Sequence, residues 1–152
     1  MPARALGQAE SAPADRGAET VLVVTHVTDD PLGAALATAI VLNNTPDLVK
    51  MVMLDPKMVE LSRFNGLPHL MGPVETDQER IIGVLRWCTR EMDRRYKLLE
   101  EHAARNIDTF NSRLSRRQQD EKLPYIVIMV DEIGDLNPTM QAKLLRVLQE
   151  RS

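Results

Sequence analysis

One cysteine, Cys88, stands among the 152 residues. That scarcity excludes a disulfide framework or a cysteine-rich zinc site and suits a reducing compartment. Long apolar runs are also lacking. The longest, 21–24 and 125–130, have the length of buried strands and fall well short of the roughly 18 residues that span a bilayer. Positive charge is not in excess: 19 Lys and Arg stand against 22 Asp and Glu, for a net charge of −3. The chain as a whole therefore does not hold nucleic acid by charge alone. Residues 1–18 lack aromatic and β-branched side chains and have no apolar centre, which is not how a secretory signal is built. Such a composition cannot offset its own ordering entropy, and a disordered tail is expected there. Residues 19–152 are then one domain with a real core, and a soluble, cytoplasmic protein is expected.

What is present alternates between two patterns. Thr20–His26 is β-branched and predicts a buried strand. Asp29-Asp30-Pro31 reads as a helix start, before a helix over 32–42 that is small and apolar nearly all round. Residues 48–54 predict a second strand, closed by Asp55-Pro56, and 57–73 is irregular, broken by Asn65-Gly66, Pro68, Gly72 and Pro73. Thr76 and Glu79 have capping-box spacing. They open a long helix with the stripe Ile81, Leu85, Cys88, Met92, Tyr96, Leu99 and Ala103. A further helical stretch over 107–114, a charged loop over 115–122, a third strand over 124–130 and an amphipathic helix over 139–150 complete the chain. Strands apolar on both faces, alternating with helices, indicate an α/β fold with a parallel sheet.

The strongest chemical signal is YIVIMVDEIGDL, residues 125–136. A buried strand delivers two adjacent acids at its C-terminal end, the edge where open parallel sheets bind ligands. Such a pair suits nucleotide hydrolysis, with Asp131 on the metal side and Glu132 as the base that orients or deprotonates water. The alternative is a strand that simply ends in two solvated acids. Lesser candidates have plainer readings. Arg113, Arg116, Arg117 and Lys122 are interrupted by Asp120 and Glu121 and read as a solvated loop. Arg86, Arg90, Arg94 and Arg95 share the long helix with Glu91, Asp93, Glu100 and Glu101, a mixed exposed face. His26 with Asp29 and Asp30 matches no established ligand spacing. Cys88 and Trp87 read as packing.

Three segments in order make the pattern specific: VKMVMLDPKMVELSRFNGLPHLMGPV (49–74), LRWCTREMDRRYKLLEEHAARNIDTFN (85–111) and LPYIVIMVDEIGDL (123–136). Over about 34–136 the chain resembles the motor domain of the FtsK/SpoIIIE DNA translocases. The resemblance implies a RecA-like P-loop NTPase fold, ATP and Mg²⁺ as cofactors, and ring assembly. It also implies translocation along double-stranded DNA, in chromosome segregation or conjugation. Asp131 and Glu132 fall on that family's Walker B pair, with Asp131 on Mg²⁺. Asp55, at the end of a neighbouring strand, would face the same edge as a weaker cofactor-binding candidate.

The chain departs from that family in three places. The family's phosphate loop ends in Gly-Lys-Ser or Gly-Lys-Thr, whereas Thr25–Gly33 reads THVTDDPLG. It has no lysine to reach the phosphates, and Asp29 and Asp30 put negative charge where a triphosphate would sit. Second, residues 131–152 resemble the AAA+ enhancer-binding activators of the alternative sigma factor, through QAKLLRVLQE. No sigma-contacting loop accompanies it, so transcriptional activation is not implied. Third, the strand that normally lies between the Walker A and Walker B strands does not follow. The first strand must then pair directly with 124–130, giving a truncated fold with a small three-stranded parallel sheet and flanking helices. Expected is a translocase motor fragment unable to hydrolyse ATP alone. The alternatives are a non-catalytic protein that joins or inhibits a translocase ring, as a homo- or hetero-oligomer with its subunits, and a recombined or artificial fragment without activity.

Overall fold

A computed structural model describes residues 21–25, 32–58, 61–131, 134 and 136–149. The elements are β1 (Val21–Thr25), α1 (Leu32–Asn43), β2 (Val49–Leu54), α2 (Gln78–Glu101), α3 (Ile107–Ser112), β3 (Tyr125–Val130) and α4 (Pro138–Gln149), with short 3-10 turns at Ser62–Phe64 and Arg116–Glu121. The expected tail over 1–18 lies outside the described residues.

The three strands form one parallel sheet in the order β1-β3-β2. β3 is therefore central, in keeping with its uninterrupted apolar run. β1 pairs directly with it, from Val21 opposite Ile126 to Thr25 opposite Val130, as expected. β2 lies on the other side, from Val49 opposite Tyr125 to Leu54 opposite Val130.

Alternate residues of the strands supply two cores. Val52, Leu54, Ile126, Ile128 and Val130 meet Ile81, Leu85 and Cys88 of α2 and Met140 and Leu144 of α4. On the other face Val49, Met51, Met53, Val127 and Met129 meet Ala37 of α1, Leu61 and Val74. A third cluster, Leu99, Ala104, Ile107, Phe110 and Leu123, closes the end where α2 turns into α3. Each fully buried aliphatic side chain contributes about 1.5–3 kcal/mol.

Several expectations shift in detail. α2 is capped by Asp77, whose side chain accepts from the Arg80 amide, and not by Thr76; both residues can cap, and the chain uses the later one. The stripe of α2 holds at Ile81, Leu85, Cys88 and Leu99, but Tyr96 is exposed and Arg95 is buried in its stead. The helix ends at Glu101, and Ala103 adopts φ 48°, beyond it. There the Ala104 amide donates to the Leu99 carbonyl, 2.9 Å, a closing bond usually made around glycine. α3 is shorter than expected, and the charged loop after it winds into a 3-10 turn.

The irregular stretch before α2 also has an order of its own. Met51 donates to the His69 carbonyl at 2.8 Å and accepts from Met71 at 3.0 Å, and Glu75 donates to Met53 at 3.0 Å. Residues 69–75 thus run beside β2, with bridges at Met51–Leu70 and Leu54–Glu75. Five steps of chain there span three steps of β2, so the segment bulges outward at Gly72-Pro73, where proline has no amide to donate.

Candidate functional site

The C-terminal edge of the sheet gathers the chemistry. β3 is buried along Ile126–Val130 and releases Asp131 half-buried at its end. The Asp131 amide donates to the Leu54 carbonyl, 3.0 Å, which fixes the turn of the chain off the sheet. Because Leu54 is opposite Val130, Asp55 and Asp131 leave the sheet at the same level. Thr25 is also opposite Val130, so β1 ends at the same edge. Glu132, His26, Asp29, Asp30 and Pro31 lie outside the described residues.

The setting of Asp55 differs from that of Asp131. Asp55 is fully buried, and its Oδ2 accepts from the Leu61 amide at 3.0 Å. Its own amide donates to Glu75 at 2.8 Å, and its carbonyl accepts from Met58 at 3.2 Å. The carboxylate thus ties Leu61, in the loop that follows β2, back to the end of the strand.

As a donor set, carboxylates at the strand ends suit a hard cation. They do not suit a triphosphate, which needs converging amides and a lysine. The join between β1 and α1 supplies no lysine and two aspartates.

Four of the cationic candidates, Arg94, Arg95, Arg113 and Lys122, make structural contacts. Arg95, buried on α2, donates through Nε to Glu91 Oε1 at 2.7 Å and through Nη1 to the Pro124 carbonyl. It therefore ties the helix to the entrance of β3, a role that its place in a mixed charge run does not reveal. Arg94 makes a paired contact with the same carboxylate, 2.8 and 2.7 Å. Burial alone would raise the Glu91 carboxyl, but the hydrogen bonds from Arg94 and Arg95 outweigh it and hold it below the usual range. Arg113 donates to the His102 carbonyl at 2.8 Å, Lys122 reaches Asp47 at 3.5 Å, and Arg116 and Arg117 are exposed. Burial pushes the Cys88 thiol up to about 12, which makes it an inert core group.

The pattern of the FtsK/SpoIIIE family matches residues 34–150, well over half of the sequence. The chain belongs to the FtsK/SpoIIIE family. The matched span runs past Leu136 and takes in α4. Among curated relatives, the DNA translocase FtsK of Borreliella burgdorferi is 45% identical over 107 residues, which is 67% of this chain and 13% of that protein. The DNA translocase SftA of Bacillus subtilis is 46% identical over 91 residues, 60% of this chain and 10% of that protein. The chain thus spans between a tenth and about an eighth of the length of these relatives. Among solved structures, the pCW3 conjugation coupling protein TcpA, in a monomer form with ATPγS, superposes with a TM-score of 0.57 at 19% identity. That match covers 88% of this chain and 38% of TcpA; at such identity the likeness concerns the fold. Among the described residues no helix is long and apolar enough to cross a membrane.

Proposed function

We propose that this chain is a segment of an FtsK/SpoIIIE-type motor that drives double-stranded DNA in its ring-forming relatives, and that alone it neither holds nor hydrolyses ATP. Asp131 keeps the metal-side position and Glu132 the position of the base. The observation that carries the reading is the direct pairing of β1 with β3. It brings Thr25, the end of β1, to the same edge as Asp131, and the sequence that follows, HVTDDPLG, is lysine-free and doubly acidic. Anionic groups at that place repel a triphosphate and its charge is left without compensation.

The test is ATP turnover by the purified chain with Mg²⁺ and linear double-stranded DNA. Turnover no higher than in a protein-free control is expected. Hydrolysis that disappears in Glu132→Gln would overturn the reading.

A second reading, a non-catalytic protein that joins or blocks a translocase ring, is favoured by α1. This helix has no charged residue, and Ala37 is the one buried side chain among those described on it. Thr38 and Asn43 turn their side chains back onto the Ala34 and Ala39 carbonyls at 2.8 and 2.7 Å, so hydrocarbon faces outward. Leu42 is 77% exposed. Capture of this chain by a full-length translocase, lost in Leu42→Glu, would support that reading; capture unaffected by the substitution would count against it.

A further inference from the structure

We propose that the cleft between α2 and the bulge at Gly72-Pro73 is a binding site for an organic cation, a guanidinium or ammonium on a short apolar stem. The cleft encloses about 360 Å³, within the range of small-ligand sites. Its floor is the outer margin of β2 at Val52 and Met53, and its opposite wall is Val84 and Trp87 of α2. The bulge is what opens it. Residues 69–75 are pinned to β2 at Met51 and again at Met53, and the extra chain between those points stands away from the strand. Gly72 stands in open space, where even a Cβ would meet nothing within 4 Å.

Two features select the ligand. Glu75 is the one charged residue of the lining. It is held by its backbone to Met53 and Asp55, and among the described residues no cation pairs with its half-buried carboxylate. Trp87, 39% exposed, offers an indole at the same cleft. Among the described residues the recorded cation–ring contact is elsewhere, Arg63 over Phe64. A carboxylate and an indole around an apolar floor attract a cation with a hydrocarbon body. A small inorganic cation would leave the floor unfilled, and an anion would meet Glu75. Such a cation comes either as a free amine or as a side chain of a partner protein.

Trp87 is the only tryptophan of the chain, so its emission reads the cleft directly. The full chain is titrated at constant ionic strength with agmatine, with an arginine tripeptide blocked at both ends, and with pentanol as an uncharged probe of similar length. A saturable change with the cations, weakened about tenfold or more in Glu75→Gln, is expected. Glutamine keeps the fold, because the bonds that place residue 75 are made by its backbone. Tighter binding of agmatine would assign the site to free amines, and tighter binding of the tripeptide to a protein side chain. No saturable response to either cation, an equal response to pentanol, or an unchanged response in Glu75→Gln would overturn the proposal.

Discussion

α1 and α2 cover opposite faces of one sheet, yet their sequences and their burial run opposite ways. α1 is apolar nearly all round and buries Ala37 alone among its described side chains, whereas α2 carries many charges and buries Ile81, Leu85, Cys88, Arg95 and Leu99. Composition does not decide which helix is inside; the neighbours do. α2 is flanked by α4 and by the strands, so its narrow stripe is matched. The outer surface of α1 is uncharged and faces solvent at Leu36 and Leu42.

This contrast can be broken or sharpened by substitution. The largest effect is expected at Arg95. Arg95→Ala strips the Pro124 carbonyl and the Glu91 carboxylate of a buried partner, and should cost about 3–5 kcal/mol in denaturant unfolding. Leu85→Ala, in the core under α2, should cost roughly 2–5 kcal/mol by the same measurement. Asp77→Ala removes the cap of α2 and should cost about 1 kcal/mol. Ala103→Gly relieves the left-handed residue after α2 and should raise stability by up to about 1 kcal/mol. Leu42→Glu, on α1, should change stability by less than about 0.5 kcal/mol. If Leu42→Glu proved as costly as Leu85→Ala, the contrast between the helices would fail.

Acid offers a further probe of the same helix. Glu91 is held below its ordinary value in the folded chain. Its contribution is therefore complete above the ordinary carboxylate pKa and is lost as the pH falls through the lowered folded value. Glu91→Gln should flatten that part of the stability profile, which urea unfolding at a series of pH values would show.

The legible parts of the fold were those written in local pattern. The run Tyr125–Val130 reads as a buried strand from its apolar residues alone, and the expected pairing of β1 with it is the one observed. The placement of Asp55 and Asp131 at one edge followed from the same topology. The rest depended on distant partners. Tyr96 and Arg95 are both one turn on from Met92, and an aromatic residue is the usual choice for a core. What decides for Arg95 is the Pro124 carbonyl, 29 residues away in the chain. Likewise Asp55 reads as an edge acid, but its bond to the Leu61 amide is a matter of loop geometry. Gly72-Pro73 reads only as a break; that it stands off β2 depends on hydrogen bonds on either side of it.

What we propose is that strand-end acids of the hydrolytic kind persist here without a place for phosphates. Thermal unfolding of the chain with rising Mg²⁺–ATPγS tests it most directly, because a ligand bound to the folded state alone raises its stability with concentration. The account predicts a melting temperature that does not move with nucleotide. A rise that grows with nucleotide concentration would contradict it.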